Sequence, residues 1–217
     1  MKILLVAATS GEIETFKSKI KGKATRQGIV EYLISGVGTV QTTYALTKRL
    51  TGDIPDFIIA AGIGGGFSRE IPLGTVFQVR SEVFADLGVK EASGWTDIFQ
   101  LGLADRDAPP FADGRLFNPA PAMNISAVPG VGCTVNEVTT DPRRVETIEK
   151  LYSPTVESME GAALHYVCVQ EGIPFIHLRA ISNMVGERDK QRWEMKGALE
   201  KLGIAIDETI ETLITQH

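Results

Sequence analysis

The stretch DFIIAAGIGGGFS, residues 56 to 68, runs as an unbroken apolar segment straight into four glycines within five positions, Gly62 and Gly64 to Gly66. Its apolar part, DFIIAAG (56 to 62), bounded by polar residues and glycine, reads as a strand buried on both faces. Its neighbours repeat the pattern. KILLVAA (2 to 8), IVEYLISG (29 to 36), TVFQVRSEVFA (75 to 85) and PFIHLRAIS (174 to 182) are short, apolar and partly β-branched. Between them lie segments of helical period. Residues 10 to 20 place Ile13, Phe16 and Ile20 on one face, and 39 to 50 repeat the pattern with Thr39 as the expected cap. Residues 159 to 171 and 189 to 215 read as two further helices. Strand and helix in alternation, joined by short connections, predict an α/β fold around a mixed sheet. The region from 86 to 130, rich in Gly, Pro, Asp and Ala, reads as long loops of the kind that lie over a site at the ends of the strands.

Composition narrows the function. The chain has 217 residues, 43% hydrophobic and 23% charged, enough for one domain (1–217) with a sizeable core. Its net charge is −5, with lysines and arginines scattered, so it offers no electrostatic footprint for nucleic acid or an anionic membrane. A small-molecule partner is expected. Two cysteines, Cys133 and Cys168, cannot build a disulfide framework, and His165, His177 and His217 lack the spacing of a metal site. Neither a metal nor a cofactor is expected. The N-terminal apolar run is too short for a signal peptide or a membrane span, which predicts a cytoplasmic protein.

The glycines invite a nucleotide reading that the spacing rejects. SGVGTVQ (35 to 41) has Gln41 where a dinucleotide fingerprint needs its third glycine, and Asp56 precedes a strand instead of ending one. AGIGGGFS (61 to 68) lacks the GKS or GKT ending of a P-loop. Glycines at a strand end remain, where missing Cβ atoms let backbone N–H groups approach a ligand; Gly64 and Gly65 are the candidates.

Four segments then agree in order and spacing. VAATSGEIETF, AAGIGGGFSREIPLGTV, VESMEGAAL and RAISNMVG together resemble the nucleoside phosphorylase and nucleosidase superfamily over essentially the whole chain. Within it, SEVFADLGV and the Ser182–Asn183 pair most resemble the futalosine hydrolases, which release hypoxanthine from futalosine on the menaquinone route. The resemblance implies a three-layer α/β/α sandwich with a central mixed β-sheet and a site at strand ends. A homo-oligomer, dimer or larger, is expected, with a nucleoside as the small-molecule substrate.

Cleaving an N-glycosidic bond passes through an oxocarbenium-like sugar, which calls for a grip on the ribose hydroxyls, a nucleophile and a contact to the departing base. The resemblance puts Glu160 on the 2′- and 3′-hydroxyls, with Met159 packed under the sugar. Adenosine-type nucleosidases read E-M-E here, whereas this chain reads E-S-M-E, which displaces Glu157. Glu12 matches the glutamate that activates water, and a carboxylate there would repel phosphate. Arg69 and Arg179 are the cations that could enter from elsewhere. Asn183 stands where adenine-releasing enzymes carry an aspartic acid. Its amide can donate to O6 and accept from N7–H of a 6-oxopurine. Ser182 completes the base side. On the 5′ side, where futalosine carries a benzoate, Phe84, Trp95, Phe99, Phe111 and Phe117 are the expected wall, with Arg106 or Arg115 to meet the carboxylate. A phosphorylase, which needs phosphate, and a noncatalytic nucleoside-binding protein, which releases no base, are the competing classes.

Overall fold

The computed structural model describes residues 1–20, 30–92 and 94–215, and the side chains of residues 19 and 20 are left aside. Ile20 on the first helix face, Ile29 at the start of the second expected strand, and His217 therefore lie outside the described side chains.

Among the described residues there are ten strands: β1 (Ile3–Ala7), β2 (Val30–Ile34), β3 (Phe57–Gly66), β4 (Val76–Phe84), β5 (Gly88–Glu91), β6 (Gly94–Asp97), β7 (Leu116–Phe117), β8 (Val128–Thr134), β9 (Val156–Ser158) and β10 (Phe175–Met184). The helices are α1 (Ser10–Ile20), α2 (Thr39–Leu50), α3 (Pro142–Tyr152), α4 (Gly161–Gln170) and α5 (Met195–Thr215). Eight strands form one mixed sheet in the order β10-β4-β8-β9-β3-β1-β2, with β7 on β4, and β5 and β6 make a separate hairpin. The β10 strand also pairs with β3, so five strands close on themselves while β1 and β2 extend from β3. This is the α/β/α sandwich, its sheet curled at one end.

Alternation along the central strands divides the core into two layers. Ile3, Leu5 and Ile59 face α1 and α5, where Phe16, Leu202 and Ile206 cover them. Leu4, Val6 and Ile58 point the other way, onto Leu46 of α2 and Leu164 of α4. Both faces are dry, which is why these strands carry continuous apolar runs. Each such side chain contributes roughly 1.5–3 kcal/mol on burial.

Several boundaries differ from the sequence reading. The strand expected at 56 to 62 continues through Gly66, because β9 and β10 pair with its glycines. The helix expected at 189 to 215 divides into a 3-10 turn (Lys190–Arg192), with Asp189 accepting from the Gln191 N–H, and α5. The cap of α2 is Gly38 and not Thr39, whose hydroxyl instead donates to Asn136 Oδ1. The 131 to 154 region, unassigned from sequence, holds most of β8 together with α3, which starts with Pro142 at its head and an Asp141 cap that accepts from Arg143 N–H; the TVES stretch from 155, which reads as a strand end, carries β9.

Candidate active site

Strand β3 is paired along residues 57–60 by β1 and at 65–66 by β9 on the same side. Between those neighbours the strand edge is open. The backbone N–H of Ile63 points into this gap and donates to Glu12 Oε1 at 3.1 Å. The other oxygen of Glu12 accepts from the Thr9 N–H at 2.9 Å, the capping-box arrangement encoded by Thr9-Ser-Gly-Glu12. One carboxylate thus closes the first turn of α1 and reaches across to the split sheet. The helix-terminal role and the site position are the same fact.

Glu160, buried just ahead of α4, sits opposite. Its Oε1 accepts from the Gly38 N–H at 3.1 Å, and its Oε2 from Arg179 Nη2 at 3.0 Å. Gly38 takes φ +91°, a conformation few side chains tolerate, so the rejected dinucleotide loop serves here by aiming one backbone donor. Arg179 on β10 ties the two acids together. Its Nη1 donates to the Ile63 carbonyl at 3.2 Å and lies 3.9 Å from Glu12 Oε1, while its Nε donates to His177 Nε2 at 2.7 Å. A Cβ on Gly62 would collide with Arg179 Nη1 and Glu12 Oε1, which explains glycine there. Arg69, the other cation considered, is exposed beyond β3.

The residues expected on the base side meet by register. Ile181 pairs with Gly64 and Asn183 with Gly65, leaving Ser182 as the extra residue of a bulge. Ser182 Oγ donates to Asn183 Oδ1 at 2.8 Å and lies 3.3 Å from the Gly64 carbonyl; Asn183 Nδ2 donates to the Met184 carbonyl at 3.0 Å. An amide has two N–H bonds and two carbonyl lone pairs, so one donor and one acceptor of Asn183 remain unspent. The space above Gly64 is filled by the Glu157 carbonyl and Val156, whereas a Cβ on Gly65 would meet Val185 and Asn183. Met159 is half-buried, one residue before Glu160.

Glu157 is neither solvent-facing nor paired with arginine. It is buried on β9, its Oε1 accepts from the Thr139 N–H at 3.1 Å, and burial pushes its carboxyl above the ordinary range. It ties down the 135–139 loop. Behind Arg179 lies a cluster that composition alone does not reveal: His177, His165 and Glu82 are all fully buried. The expected 5′ wall is divided. Phe84, Phe99, Arg106 and Arg115 line a cavity of about 180 Å³, whereas Trp95 lines another of about 730 Å³ beside α3. Phe111 packs edge-on against Phe99, and Phe117 is exposed. Arg106 pairs with Asp113 at 2.8 Å, and Arg115 donates to the Tyr152 carbonyl at 3.0 Å. Among the described residues no three His, Cys, Asp or Glu side chains are grouped as metal ligands, and no helix is long and apolar enough to cross a membrane.

A mixed sheet that splits at one strand end and sets two acids around one arginine defines an α/β protein with a polar, strand-end site. The chain belongs to the phosphorylase superfamily, whose model matches residues 2–215. It is 31% identical over 187 residues to the futalosine hydrolase of Streptomyces coelicolor, covering 81% of this chain and 76% of that one. It is 29% identical over 213 residues to the 5′-methylthioadenosine/S-adenosylhomocysteine nucleosidase of Geobacillus kaustophilus, covering 89% of each. Among solved structures, the nucleosidase of the same name from Helicobacter pylori superposes with a TM-score of 0.79 at 15% identity, covering 98% of both chains.

Proposed function

We propose that the protein is a nucleosidase that hydrolyses futalosine, releasing hypoxanthine and leaving dehypoxanthine futalosine, a step of menaquinone biosynthesis. The observation that carries hydrolysis over phosphorolysis is the state of Arg179. Its Nε, Nη1 and Nη2 each donate inward, to His177, Ile63 and Glu160, and with Glu160 at 3.0 Å and Glu12 at 3.9 Å the charge of this guanidinium is already met by two carboxylates. Glu12 adds a carboxylate where phosphate would have to sit, and like charges in a desolvated pocket oppose each other. Water is the nucleophile that this arrangement accepts.

In this reading Glu12, oriented by two backbone N–H groups, takes the proton from water as it attacks the anomeric carbon. Glu160, held by Gly38 and Arg179, accepts from the ribose hydroxyls, and those bonds strengthen as the sugar becomes cationic. Met159 packs beneath the ring, with Gly64 and Gly65 bordering the base. Asn183 gives its spare N–H to O6 and its spare lone pair to N7–H of the leaving hypoxanthine. An exocyclic amine in place of O6 would leave that donor facing another donor.

The test is incubation of the purified protein with futalosine, inosine and methylthioadenosine, with and without phosphate, and identification of base and sugar. Hypoxanthine from futalosine, at a rate indifferent to phosphate, is expected. Adenine from methylthioadenosine at a higher kcat/KM would replace the substrate assignment, and a phosphate requirement would replace the reaction.

A further inference from the structure

Behind the arginine, the proton positions can be assigned one by one. Arg179 Nε can only donate, so His177 Nε2 is an acceptor at 2.7 Å and the imidazole proton sits on Nδ1. The Leu116 carbonyl can only accept, so His165 carries its proton on Nδ1 at 3.0 Å. That leaves His165 Nε2 free to accept from His177 Nδ1 at 3.2 Å. Both rings are neutral. Burial pushes His177 well below the usual histidine range and His165 down to about 3.

Glu82 on β4 completes the cluster. Its Oε2 is hydrogen-bonded to Thr134 Oγ1 at 3.0 Å, while Oε1 has no hydrogen-bond partner among the described residues and lies 3.6 Å from His177 Nδ1. The pocket is built around this carboxyl: a Cβ on Gly132 of β8 or on Gly161 of α4 would collide with Oε1. The titratable groups that face it are Cys133 from β8, His177 and Arg179 from β10, and Glu160 and His165 from α4 and its approach. The adjoining β7, Leu116 and Phe117, brings none. The single cation among these is already committed to Glu160.

We propose that Glu82 is a positioning residue of the site, acting as an uncharged carboxylic acid that keeps His177 and Arg179 in line behind Glu160. In an uncharged acid the Thr134 bond reverses, the Glu82 hydroxyl donating to Thr134 Oγ1, and the carbonyl oxygen faces the His177 Nδ1–H from 3.6 Å beside its bond to His165 Nε2. Ionised, it would compete with Glu160 for Arg179 and place a second negative charge behind the ribose clamp. Burial raises its carboxyl to about 8, in the same direction. The idea rests on the nucleosidase reading for its kinetic arm and not for its thermal one.

The kinetic arm compares Glu82→Ala, Glu82→Asp and Glu82→Gln with wild type across pH 6–9.5, on the nucleoside that wild type cleaves best. Glutamine reproduces the uncharged acid, with oxygen toward His177 and NH₂ toward Thr134. Expected are a loss of about tenfold or more in kcat for alanine and aspartate with KM nearly unchanged, and rescue by glutamine to within about threefold at pH 7. Wild type should lose about tenfold between pH 7 and pH 9, and Glu82→Gln should not. The thermal arm needs no turnover. A carboxyl raised in the folded state stabilises fully below its ordinary value, and that stability drains as pH rises toward about 8. The Tm of wild type should therefore fall relative to Glu82→Gln by several degrees between pH 5 and pH 8. A glutamine variant as inactive as alanine would overturn the proposal, as would parallel pH profiles and Tm curves for wild type and Glu82→Gln. Absence of turnover on every nucleoside, with the Tm signature intact, would overturn the nucleosidase reading while supporting the uncharged acid.

Discussion

The two sides of the site are wired differently. On the proposed sugar side, Glu12, Glu160 and Arg179 each have, beside near neighbours such as Thr9 and His177, a partner far away in sequence: the Ile63 N–H is 51 residues from Glu12, the Gly38 N–H 122 from Glu160, and the Ile63 carbonyl 116 from Arg179. On the base side, the side-chain partners of Asn183 are its two chain neighbours, Ser182 and Met184. Under the proposed function, the residues assigned to the rate are joined to β3, β10 and the heads of α1, α2 and α4 and cannot shift without moving the fold, whereas Asn183, assigned to the base, sits on a local bulge.

The largest expected effect tests the sugar side. Glu12→Gln should keep nucleoside binding and lose on the order of 10²- to 10⁴-fold in kcat, since an amide cannot take a proton from water; single-turnover kinetics with separately measured binding check this, and wild-type turnover would end the assignment. Gly62→Ala follows. Its methyl would displace both Arg179 and Glu12, and misplacement of about 1 Å costs about 10² in kcat. If kcat survives, the sugar side is less rigid than its contacts imply. Asn183→Asp should be gentler and selective, moving the ratio of kcat/KM between 6-oxopurine and 6-aminopurine nucleosides by about tenfold toward the amine, most clearly at mildly acidic pH. An unchanged ratio would remove Asn183 from base reading. Smallest of all, Arg106→Ala breaks an exposed pair with Asp113 and should change stability by less than about 0.5 kcal/mol. A rise in KM for futalosine that shrinks with added salt would nevertheless bring Arg106 to the substrate carboxylate.

What the sequence made legible follows the same division. Strands buried on both faces, such as β1 and β3, announce themselves by apolar runs, and the acids Glu12 and Glu160 stand out beside them. Strand β8 does not, because VPGVGCT carries a proline and two glycines. Gly132 is there to make room for the Glu82 carboxyl, a reason invisible until the fold brings the two together. Strand β9 is three residues long, too short for any period to register. Helix α3 was within reach, since Asp141-Pro142 is a helix-start signal. From sequence Arg179 reads only as a cation that could enter the site; its bonds to Ile63 and Glu160 depend on pairings no local pattern encodes.

The closure of β10 onto β3 also governs how the molecule comes into being. Gly66 pairs with Met184, 118 residues later, and such long-range parallel pairing is slow to form because loop closure precedes its reward. During synthesis at about 5–20 residues per second, that edge of β3 waits roughly 6–24 s for its partner. For that interval FIIAAGIGGG is an open apolar strand edge, a template for the wrong neighbour. Substitutions that weaken β10 should therefore surface first as poor soluble yield from the ribosome, before they register as lost stability in whatever protein does fold.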